Sequence, residues 1–210
     1  MRRLSWWALV LALLPGCLPY VVATTAMPAP VGEVEASAPV YLIPGAIRLD
    51  SLRYSGIGFD LDARIGLSPR SDIGFRIPTL SGIVVSYKQL LTDPERRSGL
   101  ALMPAVGFFW SHGYADLTAV ASGPVDRAEW YGGVRAMGTV PLAAEARTLP
   151  GSIGGVFGLK IPGQRYRAQP EIGVFYGPAG LQSESARVNV VLSIAFSAVG
   201  AFPRLPSRWP

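Results

Sequence analysis

The chain has 210 residues, with 24 Gly, 19 Pro, one Cys, one His, 16% charged residues and a formal charge of +5. It is too apolar for disorder and too rich in Gly and Pro for a helical bundle, which leaves an all-β protein of one folded domain. A single thiol excludes an internal disulfide and a single imidazole offers no metal set. Basic residues scattered singly, with no run beyond Arg96-Arg97, lack the footprint of a nucleic-acid binder.

The first element has the form of an export signal. Arg2 and Arg3 precede an unbroken apolar run from Trp6 to Leu14, and Pro15-Gly16 end it just before Cys17. Roughly ten apolar residues are too few to span a bilayer as a helix, so residues 1–16 are expected to be removed. Residues 17–30, with Pro19, Pro28 and Pro30 and no alternation, are expected to form a flexible tether. The folded domain is expected over 31–198, followed by a Pro-rich tail over 199–210.

From residue 31 onward the pattern has the period of a strand. Residues 31–42 alternate weakly, with Glu33, Glu35 and Ser37 on the polar face. At 57–67 the division is complete: Ile57, Phe59, Leu61, Ala63, Ile65 and Leu67 oppose Gly58, Asp60, Asp62, Arg64 and Gly66. After a Ser68-Pro69-Arg70-Ser71 turn, Ile73, Phe75 and Ile77 oppose Asp72, Gly74 and Arg76. Weaker strands follow at 82–91, 115–121 and 128–140, the last carrying Glu129, Arg135 and Thr139 on its polar face. Clear ones cover 100–111, 152–161 (Ile153, Phe157, Leu159 and Ile161 against Gly154, Gly158 and Lys160), 167–176 and 187–197. This predicts about ten strands, most near the length that crosses a bilayer at a tilt.

Residue size decides which face points inward. A soluble sandwich needs long polar side chains on its outer face, whereas here the second face is mostly Gly, Ala and Ser with isolated charges of both signs. Small residues suit the inside of a narrow barrel. The expectation is an up-and-down antiparallel transmembrane barrel, since only closure satisfies every backbone amide in hydrocarbon. Its lumen is predicted to hold a cross-linked polar network of Glu33, Asp60, Asp62 and Glu171 with Arg64, Arg76, Arg135, Lys160, Arg167 and Arg187. Turns are expected at 68–71, 92–98, 122–127 and 162–166 on one side. Longer loops at 43–53, 141–150 and 177–186, with tight links near 79–81 and 112–114, are expected on the other. Trp110, Trp130, Tyr131, Tyr166 and Tyr176 fall near strand ends, where an aromatic girdle would sit.

Leu14-Pro15-Gly16-Cys17 resembles the lipobox of bacterial lipoproteins, in which the cysteine becomes the acylated N-terminus. The resemblance implies lipidation of Cys17, and Leu18 in place of an Asp leans toward the outer membrane. Residues 31–198, with stretches such as GFDLDARIGLSPRSDIGFRI, resemble small bacterial outer-membrane β-barrel proteins. That implies a structural, surface-interaction or narrow-pore role, with membrane lipid as partner, a further cell-envelope protein partner possible in kind, and no cofactor. The alternative from another class is a lipid-tethered periplasmic barrel holding an apolar ligand, as lipocalins do, with Ile57, Phe59, Leu61 and Leu192 turned inward. A rim acyl hydrolase built on Ser111 and His112 is the third reading; no motif places a carboxylate beside that pair, so no catalysis is expected.

Overall fold

Ten antiparallel strands close into a barrel in the computed structural model of this chain, which describes residues 19–49, 52–109, 111–144, 146, 151–164, 166–177 and 187–199. They are β1 (Val34–Leu49), β2 (Leu52–Ser68), β3 (Ser71–Pro78), β4 (Gly82–Leu90), β5 (Gly99–Phe109), β6 (His112–Val125), β7 (Ala128–Pro141), β8 (Ser152–Pro162), β9 (Arg167–Gly177) and β10 (Arg187–Val199). Each pairs with its neighbour in sequence, and β1 completes the ring by pairing with β10, Tyr41 opposite Ser193 and Ser37 opposite Ser197. Closure leaves no open sheet edge, as hydrocarbon requires. Cys17 and the tail from residue 200 lie outside the described residues.

Alternation in the sequence becomes alternation in exposure. Along β5, Leu100, Leu102, Val106 and Phe108 face out, while Ala101, Met103, Ala105 and Phe109 face in. Ile57 is 61% exposed and Phe157 53%, against 0% for Asp60 and 3% for Arg64. A barrel binding an apolar ligand inside would have these values reversed, so the lipocalin-like arrangement is excluded. Within the expected loop at 43–53, residues 43–49 and 52–53 belong to paired strands, with Arg48 opposite Arg53 and Leu49 opposite Leu52, and residues 50 and 51 lie outside the described residues. The pairing resumes there after a register shift between Ile43 and Ile47. Likewise β6 begins at His112, which puts the expected link at 112–114 inside a strand.

The lumen is packed rather than merely lined with small groups. Tyr41, Tyr131 and Phe175 are buried inside the barrel, each beside a glycine directly across the sheet: Gly58, Gly158 and Gly154 respectively. A methyl on Gly158 would meet the Tyr131 ring at 2.4 Å, and one on Gly58 would meet Tyr41 at 2.4 Å. The small residues therefore make room for rings from the next strand, a pairing that stabilises strand register. Tyr131 belongs to this interior set and not to a girdle, since its position shares the parity of Arg135. Tyr166 and Tyr176 do face outward, at 63% and 58% exposure. At the β3–β4 turn, Thr79 and Leu80 both have positive φ, 45° and 55°, and Ser81 N donates to Pro78 O at 2.7 Å. This is the hairpin geometry that ordinarily favours Asn-Gly.

Adjacent residues on β8 test the two faces. Phe157→Arg puts a charge toward lipid and is expected to cost about 2–4 kcal/mol. Gly158→Val overfills the interior at Tyr131 and is expected to cost about 1–3 kcal/mol. Urea unfolding from lipid vesicles measures both; only the first penalty should shrink in short-chain detergent.

Candidate functional site

The lumen carries the charged side chains, and β-sheet register determines which of them meet. Asp62 on β2 stands directly across from Arg76 on β3, and Arg76 Nε donates to Asp62 Oδ2 at 3.0 Å. One step along, Arg64 donates to Asp72 through Nε at 2.9 Å and Nη2 at 2.5 Å, and Lys88 Nζ lies 3.2 Å from the other oxygen of Asp72. Across the barrel, Asp116 accepts from Arg135 Nη2 at 2.7 Å, Tyr114 OH at 2.7 Å and Thr118 Oγ1 at 3.1 Å. Nearer the end where β1 begins, Glu35 pairs with Lys160 at 2.7 Å and Arg167 at 3.5 Å. All but Arg167, whose side chain is 40% exposed, are buried or nearly so, where a charge without a partner is costly.

Of the residues expected in the network, Asp62, Arg64, Arg76, Arg135, Lys160 and Arg167 come together in these ion pairs. Asp60 faces the lumen, fully buried, and belongs to none of these ion pairs. Arg187, at the far end of β10, donates to Asn189 Oδ1 at 3.2 Å. Glu33 precedes β1 and makes no ion pair among the described residues; its carbonyl accepts from Gly66 N. Asp72, Lys88, Asp116 and Glu35 complete the network. Their signal was parity, each standing two or four residues from another inward position on its own strand.

Glu171 has a different partner, and it reveals the main feature of the lumen. Residues 19–29, part of the 17–30 stretch expected to form a flexible tether, run through the barrel interior, and Tyr20, Val21, Val22 and Ala26 are fully buried. Both Glu171 oxygens accept from consecutive backbone amides, Val22 N at 3.0 Å and Ala23 N at 2.8 Å. The backbone turns just past this pair of donors, where Ala23 has φ 45°. Arg76 donates to Val21 O at 2.5 Å and Val22 O at 3.2 Å, and Arg135 to Pro19 O at 2.6 Å and Val21 O at 3.1 Å. Lower down, Lys88 donates to Thr24 Oγ1 at 2.8 Å and Met27 O at 3.2 Å, Ser122 accepts from Ala26 N, and Asp72 accepts from Ala29 N at 3.0 Å.

These contacts set the depth of the segment. Ala29 meets the second residue of β3, close to the end where β1 begins, whereas the Tyr20 ring packs on Phe175 near the opposite end of β9, with centroids 4.8 Å apart. Tyr20, Val21 and Val22 join Tyr41, Ile43, Phe109, Tyr114 and Phe175 in one apolar cluster inside the barrel. The segment passes out over Gly66, where an added methyl would lie 2.2 Å from Pro30 O and 2.3 Å from Ala29 O. Only glycine permits that close backbone approach. Beside the exit an open vestibule of about 370 Å³ is lined by Met27, Pro28, Pro30, Glu35, Lys160 and Arg167, among others.

The energies nearly balance. Hydrogen bonds to charged groups contribute about 1.5–3 kcal/mol each, and eight here join the segment's main chain to Arg76, Arg135, Glu171, Lys88 and Asp72. Fixing the backbone of a residue costs about 1–2 kcal/mol, over eleven residues from 19 to 29. The two sums are of the same order, so burial of Tyr20, Val21 and Val22 tips the segment toward its seat.

At the rim, Ser111 Oγ lies 3.4 Å from His112 Nδ1, a contact that strand alternation did not predict. It exceeds the reach of about 2.6–3.2 Å expected of a nucleophile and its base.

Two substitutions should loosen the segment while leaving the barrel closed. Gly66→Ala, by collision with Ala29 O and Pro30 O, and Glu171→Gln, by removing the anion, are each expected to speed proteinase K cleavage within residues 19–30 about tenfold or more. Mass spectrometry of the fragments, on protein that still migrates as a folded barrel, reads the effect.

No family model matches this chain, and no curated protein matches it in sequence. Among solved structures it is similar to an outer membrane channel from Pseudomonas putida F1, with a TM-score of 0.53 at 10% identity, covering 83% of this chain and 97% of that one. It also matches Neisserial surface protein A (TM-score 0.38, 12% identity, 80% and 96% covered) and the outer membrane protein OprG from Pseudomonas aeruginosa (0.35, 13%, 84% and 99%). The likeness to the Pseudomonas putida channel is one of fold: this chain has the closed, antiparallel, all-β barrel of the outer-membrane type.

Proposed function

We propose that this protein is an integral outer-membrane β-barrel with a structural or surface-interaction role, whose own N-terminal segment closes its lumen, and that Cys17 carries lipid. The observation that carries the reading is the continuous outer belt of large apolar side chains, from Ile57 and Phe75 through Phe108 and Phe157 to Leu192 and Phe196, all exposed. Such a surface is stable against acyl chains and a liability in water. The similar Pseudomonas putida protein is a channel; in this barrel residues 19–29 fill the axis that a solute would follow, so conduction requires the segment to move.

Lipid at Cys17 places a constraint on the same segment. Two residues of chain span at most about 7 Å, and Pro19 is bonded to Arg135 in mid-barrel. A lipid inserted in the leaflet at the end where β1 begins therefore requires residues 19–29 to be outside the lumen. Anchoring at that leaflet and plugging exclude one another.

Purified protein should show heat-modifiable migration on gels and insert into planar bilayers with little conductance; Gly66→Ala should raise open-channel events several-fold. Recovery as a soluble protein without detergent would defeat the membrane reading. Cys17→Ser should abolish palmitate incorporation in cells and leave barrel assembly intact; labelling that persists in this variant would remove the lipidation reading.

A further inference from the structure

The wall of the lumen reads main chain. Nine hydrogen bonds from Arg76, Arg135, Lys88, Ser122, Asp72 and Glu171 end on backbone N–H or C=O groups of residues 19–29. The prolines of the segment fall where no N–H is required: Pro19 is met through its carbonyl, and Asp72 takes the amide of Ala29 between Pro28 and Pro30. Segment side chains from Val21 to Ala26 are small and uncharged, as a lumen already containing matched charges demands. The array also has unused capacity, because Arg135 Nε and Gln169 Oε1 are buried without a hydrogen-bond partner among the described residues.

A receptor for main chain does not depend on which covalent chain supplies it. We propose that the lumen is a binding site for an uncharged stretch of polypeptide with one leading aromatic ring followed by small side chains, occupied in cis by residues 19–29 and able to accept such a segment from another polypeptide. Donors Arg76 and Arg135 hold successive carbonyls, Glu171 holds a pair of adjacent amides, and Lys88 and Asp72 hold the part nearer the exit. The vestibule beside Pro28 and Pro30 is the side from which a second segment reaches these groups, since Glu35, Lys160 and Arg167 line it and it opens to solvent. The inference rests on the seated segment and the barrel fold, and it is independent of membrane location and of lipid on Cys17.

The test keeps the full chain during folding. A protease recognition site is inserted between Pro30 and Gly32, where Val31 is 57% exposed. The protein is folded in detergent, verified by heat-modifiable migration, and then cut. A fluorescent synthetic peptide of residues 19–30 should bind the cut protein saturably and the uncut protein not at all. Methylating the Val22 and Ala23 amide nitrogens should weaken binding at least tenfold, whereas Thr25→Val in the peptide should change it less than threefold. Uncut Gly66→Ala protein, its own segment dislodged, should take up a labelled peptide of residues 19–28, which ends before the two carbonyls that meet the added methyl, and covers the case in which the inserted site disturbs folding. Failure of both proteins to bind the peptide, or binding unaffected by amide methylation, overturns the proposal.

Discussion

An ionic group turned into a narrow closed barrel loses bulk water and must find a partner within a few ångströms. Most of this architecture follows from that requirement. Strand register supplies some partners directly, as between Asp62 and Arg76, and diagonal neighbours supply others, as between Arg64 and Asp72 or Asp116 and Arg135. The wall does not meet every demand. Glu171 accepts its hydrogen bonds from the backbone of Val22 and Ala23, and Arg76 and Arg135 each extend an amine to a backbone carbonyl. The N-terminal segment is thus part of the electrostatic structure of the barrel as well as its filling.

Packing and polarity divide the lumen between them. Toward the end of β9 that holds Phe175, rings from one strand lie beside glycines of the next and enclose Tyr20, Val21 and Val22 in an apolar cluster. Toward the end where β1 begins, Lys88, Asp72 and Ser122 hold the main chain, and the cavity opens into a charged vestibule. Ala26 and Ala29 stay buried at this end as well, Ala26 in a second apolar cluster with Leu90, Val120 and Tyr131, and only Met27, Pro28 and Pro30 are partly open beside the vestibule.

The outer face was the most legible part. Two-residue alternation over 57–67, 100–111 and 167–176 carries strand identity, facing and the number of crossings together, because one slip of register would put every large apolar side chain in the lumen. Charged positions of the lumen were legible by the same parity, which is how Asp62, Arg64, Arg76, Arg135, Lys160 and Arg167 were recognised before their partners were known. Which charge met which was not legible, since pairing depends on register between strands far apart in sequence. Tyr131 lies near a strand end yet takes its inward facing from parity, and within 43–53 a shift of register conceals pairing that resumes at Ile47.

Residues 19–29 mark the boundary between the two kinds of knowledge. By itself the sequence determined an all-β chain with a greasy side and a small, charged side, since that property is local and repeats every two residues. It carried no sign of where the Pro-rich stretch before the first strand would go, because a run of small uncharged residues has no periodicity and its side chains make few of the contacts. Only the tertiary structure decided that path: it places Glu171 beside Val22, 149 positions away in the chain, and its ligand is backbone, which every residue shares.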